Sequence, residues 1–521
     1  MVDYDIIIRD ACLIDGTGTT SGYTSDIAVK SGKIAKIAKT ISGSAQREIE
    51  ASGRIASPGF IDMHTHCDKD ILKNTNTRQA LNYLFQGVTL LIGGNCGMST
   101  VNVTDFSNQV NNSSIGLNVG MLIGHNRVRE AVMGRVDRHA NDCELTEMKK
   151  IVSNEMKNGA FGMSTGLIYI PGAYCDANEI AELCKIVQKY NGIYTTHLRN
   201  EADGIMESIE EASEIGRQSK IPVHLSHHKL VGKHMWGKST ETLGKISEYK
   251  SQGIDISFDQ YPYNATSTTI DAFFPDWALE GGLQDIKNRL KESKTRKQIL
   301  KVVIWNMENA RGGGDPKNVV ICNSPNKPEI EGKSLAQLTK ENNLIPTCEN
   351  ASQIVLDLTA LGDVRCIFHC LDEKDVEFVM KNKDGIVASD GIVVEFGKQK
   401  PHPRSYGTFP RVLSKYVRKR KIISIENAIC KMTLNPAKRL GLTDRGVLKE
   451  KACADIVVLD PLEIEDISTF ERPHQYAKGV DFLIINGVLV IDDGKFTGEM
   501  AGKFIKNHRT KKNVYRCLET D

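Results

Sequence analysis

No apolar run in the 521-residue chain approaches the roughly 18 residues of a spanning helix, which argues against helical membrane insertion. An excess of one charge is also missing. With 67 Lys and Arg against 65 Asp and Glu, the net charge is +2. This leaves no electrostatic footprint for nucleic acid or for a membrane surface. The basic runs near Lys415–Lys421 and Lys506–Lys512 are short and read as solvated surface. The opening Met-Val-Asp-Tyr-Asp-Ile-Ile-Ile-Arg-Asp has neither a basic stretch nor a long apolar core, so no signal peptide is expected. The 13 cysteines are odd in number and lack framework spacing. They are expected to be thiols, mostly small core residues, in a cytoplasmic protein. There is no internal repeat and no low-complexity tract.

What is present is ordinary for a globular protein: 40% apolar and 25% charged residues. The length suits one large domain plus a small one. Residues 1–57 alternate apolar and polar in short runs, with turns at Asp15-Gly16 and Ser31-Gly32. From residue 58 the rhythm changes to short β-rich runs alternating with amphipathic helices. Phe60–His64 is the first predicted strand, followed by Val88–Ile92, Asn118–Ile123, Gly159–Met163, Ile193–His197, Ile221–Ser226, Gly253–Phe258 and Ile386–Asp390. Predicted helices include Glu144–Lys157, Asn178–Tyr190, Ala202–Gln218 and Thr240–Ser251. Eight βα units imply a (β/α)₈ TIM barrel over residues 58–440. Residues 280–345, polar and helical, read as an insertion within it, and an extra apolar run, Val364–Cys370, precedes the last strand. The β pattern returns after residue 440, so 1–57 and 441–505 are expected to join as one small β-sandwich domain. The charged final fifteen or so residues are expected to fray.

His64 and His66 lie two apart at the end of the first strand, so both face the same side. At the mouth of a barrel they can grip one cation, and imidazole nitrogen suits zinc. Cys96, in Gly-Gly-Asn-Cys-Gly-Met-Ser, reads equally as a buried thiol in a glycine-rich turn or as a thiolate ligand. His197 and His227 each sit at a strand's C-terminal end, with His224, His228 and His234 as competing neighbours. Asp390 ends the last strand, where a carboxylate can take a proton from attacking water and return it to a leaving amine. Together these groups describe metal-assisted amide hydrolysis.

The pattern resembles the amidohydrolase superfamily: His-x-His on strand one, a bridging ligand, single histidines on strands five and six, and Asp on strand eight. Gly-Phe-Ile-Asp-Met-His-Thr-His (59–66) and Ala-Asp-Ile-Val-Val-Leu-Asp (454–460) belong to the same likeness. More narrowly, five segments resemble the N-acyl-D-amino-acid deacylases (D-aminoacylases): Gly-Asn-Cys-Gly-Met-Ser (94–99), Gly-Met-Ser-Thr-Gly-Leu-Ile-Tyr-Ile-Pro-Gly (162–172), Thr-His-Leu-Arg-Asn-Glu (196–201), Tyr-Pro-Tyr-Asn-Ala (261–265) and His-Pro-Arg-Ser-Tyr-Gly-Thr-Phe-Pro-Arg (402–411). The resemblance implies a tight zinc site of Cys96, His197 and His227, with one ion sufficient. It implies a weaker second site adding His64, His66 and Asp390, with Cys96 between, and Asp390 as catalytic acid and base. It also implies Arg404, Tyr169, Tyr261 and Ser267 as substrate contacts, Arg404 offering a paired fork to a carboxylate. Tyr169 and Tyr261 read equally as packing residues at the barrel rim.

The expected substrate is therefore a small N-acyl amino acid. The D preference comes from the resemblance alone. A cyclic amidase of hydantoinase or dihydroorotase type is the nearest alternative. Many of those enzymes use a carboxylated lysine on strand four, and Ala160–Gly166 has none. A dipeptidase-like amidohydrolase and a non-catalytic scaffold are the other readings.

Overall fold

The computed structural model describes residues 2–100 and 102–507. The expected fraying of the last residues, and the end of the Lys506–Lys512 run, lie outside the described residues. Five strands open the chain: β1 (Tyr4–Leu13), β2 (Tyr23–Lys30), β3 (Lys33–Ala38), β4 (Ala45–Glu50) and β5 (Ile55–Pro58). Alternation along β1 sends Ile6 and Ile8 into one core and Ile7 into another. A register shift between Ile8 and Ala11 lets β1 pair in parallel with β4 along its first half and with β5 at its end.

After β5 the chain passes through Gly59 into a different sheet. A Cβ at Gly59 would lie 2.2 Å from Cγ2 of Thr89, so the crossing requires glycine. The parallel strands that follow are β6 (Phe60–Asp62), β7 (Val88–Gly93), β8 (Asn118–Met121), β9 (Ile123–Gly124), β10 (Gly162–Gly166), β11 (Ile193–His197), β12 (Val223–Leu225) and β13 (Ile256–Gln260). Pairing runs β6–β7–β8 and then β9–β10–β11–β12–β13, with only Leu122 between β8 and β9. Helices Asp142–Lys157, Ala177–Lys189, Ile205–Ser219 and Ser239–Ser251 connect successive strands. The third starts later than the predicted Ala202. Residues 200–204 turn instead, and this buries Glu201 at the site end of the sheet.

An excursion then interrupts the parallel array. It holds β14 (Thr266–Thr269), β15 (Val319–Asn323) and β16 (Arg365–Phe368), an antiparallel sheet in the order β14–β16–β15. Helices Ser293–Asn309 and Cys348–Leu361 pack with it around Phe273, Val303, Val355 and Phe368. This unit is wider than the expected 280–345. Its bounding strand Thr-Ser-Thr-Thr carries no apolar alternation, and Val364–Cys370 belongs to it rather than standing alone. Next, β17 (Ile386–Val387) pairs in parallel with β13. Beyond β17, Asp390 N–H donates to the His64 carbonyl (2.9 Å) and His66 N–H to the Gly391 carbonyl (2.8 Å), with a parallel bridge Thr65–Gly391. These bonds join the last strand to the first.

The chain returns to the first sheet with β18 (Ile456–Leu459), β19 (Val480–Ile485), β20 (Val488–Asp492) and β21 (Lys495–Phe496). The path β21–β20–β19–β18–β5–β1–β2–β3, with β4 on β1, is one ladder of nine strands built from both chain ends. It is not the two separate sheets of the expected sandwich. Residues from β1, β2, β18 and β19 share one core. Among the described residues no helix is long and apolar enough to cross a membrane.

Lys431, on helix Ile425–Met432, is buried, and its ammonium donates to the Asn382 carbonyl. Burial pushes its pKa down to about 7, against the opposing charge of Asp384. An unfolded lysine keeps its proton to about pH 10.4, so the folded state gains stability as pH rises from 7 towards 10. Lys431→Met should therefore raise Tm more, relative to wild type, at pH 6 than at pH 9. Calorimetric melts at both values check this, and an equal offset would contradict the assigned burial cost.

Candidate metal centre and substrate cavity

The strand ends supply the site. His64 and His66 follow β6, Cys96 follows β7, His197 ends β11, His227 lies two residues past β12, and Asp390 follows β17. Cys96 reaches inward through a turn that few residues could make. Gly94 (φ +75°) would place a Cβ 2.1 Å from the Leu122 carbonyl oxygen, and Gly97 (φ +73°) one 1.9 Å from Oδ1 of Asn126. Cys96, His227 and Asp390 all adopt positive φ, at 53°, 37° and 50°. Such backbone costs about 1–3 kcal/mol per residue, and here it aims ligand side chains at one point.

Cys96 Sγ lies 3.3 Å from His64 Nε2 and 3.5 Å from His227 Nε2. The ligand atoms of Cys96, His197 and His227 fall within 4.8 Å of one another, as do those of His64, His66, Cys96 and Asp390. Cys96 is common to both groups. His66 Nε2 and His64 Nε2 stand 3.2 and 3.6 Å from Asp390 Oδ1. Burial opposes ionisation of the Cys96 thiol, but charge on His64 and His227 outweighs it and holds the thiol well below its ordinary range. Both ring nitrogens of His197 and Nδ1 of His66 are buried without a hydrogen-bond partner, a cost that a bound cation relieves. Thiolate plus imidazole is a donor set for a borderline-soft dication, so the residues present fit a metal centre.

Partners behind these side chains fix their orientation. Asp259, at the end of β13, accepts at Oδ2 from His224 Nε2 (2.8 Å) and faces His64 Nδ1 (3.2 Å), while its Oδ1 accepts from the His227 N–H (2.8 Å). Glu201 lies 3.2 Å from His227 Nδ1 and 3.3 Å from His197 Nε2, and it pairs with Lys229. Neither carboxylate was singled out from sequence, though Glu201 closes the Thr-His-Leu-Arg-Asn-Glu segment and Asp259 ends a strand. The three competing histidines point elsewhere. His224 is held by Asp259 and Ser257, His228 by Thr242, and His234 by Asp203.

The metal-centre side chains open on a cavity of about 110 Å³ lined by Cys96, Tyr169, His197, Tyr261, Ser267 and Asp390. It adjoins an outer pocket of about 530 Å³. Arg404 starts a helix, Arg404–Arg411, and its Nη1 stands 2.9 Å from Asp390 Oδ2. The guanidinium lies 4.8 Å over the Tyr261 ring. It borders a smaller neighbouring cavity with His66, Ser267 and Asp390 rather than the 110 Å³ one. Tyr169 OH is 2.9 Å from Thr268 Oγ1, and the Tyr261 hydroxyl is buried and unpartnered. Ser267 accepts from Arg404 through its carbonyl (3.4 Å), while its hydroxyl faces Cys322 Sγ (3.8 Å).

Two models, each described as "Amidohydrolase family", match residues 55–293 and 384–491. The D-aminoacylase of Alcaligenes xylosoxydans xylosoxydans is 31% identical over 96% of this chain and 97% of its own. A solved D-aminoacylase with a binuclear metal centre, described by one-metal activation and second-metal attenuation, aligns with TM-score 0.82 at 30% identity, covering 96% of this chain and 100% of that one. The N-acyl-D-glutamate deacylase of Bordetella bronchiseptica, solved with zinc and a phosphonate mimic of the tetrahedral intermediate, aligns with TM-score 0.80 at 28% identity over 96% and 99%. Fold and site thus define a metal-dependent amidohydrolase. Within that class the chain belongs to the N-acyl-D-amino-acid deacylase (D-aminoacylase) family.

Removing Cys96 takes a donor from both ligand groups at once. Cys96→Ala is expected to emerge from dialysis against a weak chelator with little bound metal by elemental analysis. Asp259→Asn should keep the metal but bind it about 10–100-fold more weakly. Full retention by Cys96→Ala would remove the thiolate from the ligand set.

Proposed function

We propose that the protein hydrolyses N-acyl-D-amino acids to a carboxylic acid and a free D-amino acid, with zinc as its metal. The observation that carries this reading is one buried thiolate between two imidazoles, opening on a small cavity lined by Asp390, which pairs with Arg404 behind it. Cys96, His197 and His227 hold the tight ion, and His64, His66 and Asp390 offer the weaker second position. The ion supplies Lewis acidity towards the attacking water and the amide carbonyl. Asp390 accepts the proton of the water and passes it to the leaving nitrogen. Arg404 binds the substrate α-carboxylate with its paired fork, which draws the guanidinium away from Asp390. Tyr261, with an unspent hydroxyl, and the Tyr169 and Ser267 hydroxyls complete the grip on substrate. The preference for the D series rests on the relatives.

The supporting architecture is read as a (β/α)₈ barrel, residues 58–440, carrying the excursion, with a small β domain from 1–57 and 441–505. The hydrogen bonds joining β17 to β6 support closure. The cytoplasmic placement rests on the free thiols. A cyclic amidase built on a carboxylated lysine is disfavoured. On β10 the side chain of Ser164 donates to the Gly94 carbonyl and accepts from the Gly97 N–H, so it holds the Cys96 turn.

Zinc-loaded protein should release free amine from N-acetyl-D-amino acids and not from their L enantiomers. Release from hydantoins alone would overturn the reading. Asp390→Asn should lower kcat by about 10²–10⁴-fold, measured on the same substrate. Activity against added zinc should reach its maximum near one ion per chain, and a requirement for two would remove the single tight site.

A further inference from the structure

Four basic side chains line the inner cavity: Lys69, Lys229, Arg311 and Arg365. The outer pocket adds Arg127, Arg135 and Arg199. Five of these seven have a carboxylate partner. Lys229 pairs with Glu201, Arg311 lies 3.9 Å from Glu201, Arg127 and Arg135 share Glu130 at 2.7 Å, and Arg199 holds Glu211 at 2.8 Å. Lys69 and Arg365 line both spaces, and among the described residues neither side chain has a hydrogen-bond or ion-pair partner. Two carboxylates close to them in the chain or sheet are engaged locally: Asp68 accepts from the Gly94 N–H (3.1 Å) and Asp271 from Thr269. Asp70, beside Lys69 in sequence, makes no ion pair with it.

Placement gives the pair a direction. Lys69 closes the short helix Cys67–Lys69 that immediately follows His66. Arg365 starts β16, where it stands opposite Thr269, while Ile367 stands opposite Ser267. Opposed and alternate residues of an antiparallel pair share a face, so Arg365 lies on the Ser267 face, two residues further along. The two cations thus stand one step out from the metal centre; Arg365 also borders the smaller neighbouring cavity that Arg404 lines, whereas Lys69 does not. Like charges lining one space are mutually unfavourable, and each lowers the cost of the other's anionic partner.

Accepting the deacylase reading above, we propose that Lys69 and Arg365 form a subsite for a second carboxylate on the substrate, so that the preferred N-acyl-D-amino acid is a dicarboxylate. The extra carboxylate can be carried by the amino-acid side chain or by the acyl chain. Arg404 takes the α-carboxylate common to all substrates, and the Lys69–Arg365 pair selects among them.

The test compares kcat/KM of the zinc-loaded enzyme on two near-isosteric pairs: N-acetyl-D-glutamate against N-acetyl-D-glutamine, and N-succinyl-D-alanine against N-pentanoyl-D-alanine. At least one pair should favour the charged member about tenfold or more, and the pair that does so locates the second carboxylate. Arg365→Gln and Lys69→Met should each lose at least tenfold more on that charged member than on its neutral partner. Calorimetric binding of the product D-glutamate against D-glutamine, or of succinate against pentanoate, reads the same preference without turnover. Ratios near one in both pairs, or equal losses on charged and neutral members, would overturn the subsite. Turnover of the neutral D substrates would then still stand for the deacylase reading, whereas no release from any of the four overturns that reading itself.

Discussion

The site depends on one condition: charges packed out of water must be balanced side by side. Asp259 meets that condition for three strand ends at once. Its two oxygens engage His64, His224 and the backbone of His227, so strands β6, β12 and β13 are tied through a single buried carboxylate. Glu201 does the same for His197, His227 and Lys229. Stripping one partner from such a buried pair costs about 3–5 kcal/mol. The histidines are therefore held in one orientation by the buried carboxylates packed against them.

Backbone strain is the second expense, and it is local. Cys96, His227 and Asp390 share positive φ. Each follows a parallel strand whose pairing leaves little freedom. Around Cys96 the turn is over-determined: Asn95 donates to the Ile92 and Met63 carbonyls, and Ser164 clamps the glycines on either side. A chain under these constraints presents its thiolate ready-made, so binding a metal requires little reorganisation.

The excursion between β13 and β17 adds what the parallel strands lack. It has its own core, which reaches Tyr261 and Val231 beside the cavity, and its strand β14 forms one cavity wall. The side chains grouped to hold a metal thus lie at the ends of the parallel strands, whereas the outer wall of the cavity comes from an antiparallel unit. Selectivity among substrates can change there without disturbing the ligands.

Much of this was legible in the residues. The His-x-His pair, Cys96 in its glycine turn, and His197, His227 and Asp390 at strand ends follow from strand alternation and from where parallel strands stop. These are local patterns, and the chain records them locally. The excursion's limits at Thr266 and Phe368 were not legible, because Thr-Ser-Thr-Thr has no apolar periodicity and becomes a strand only by pairing with β16. Nor was the continuous nine-stranded sheet, since β5 meets β18 across about 400 residues of chain. Asp259 and Lys229 carry no motif that separates them from surface charges. The amino-acid order by itself determined which groups could bind a metal and hydrolyse an amide. Only the tertiary structure decided which carboxylate faces which imidazole and which cations were left without a partner, because charge balance in a buried site is a property of neighbours in space.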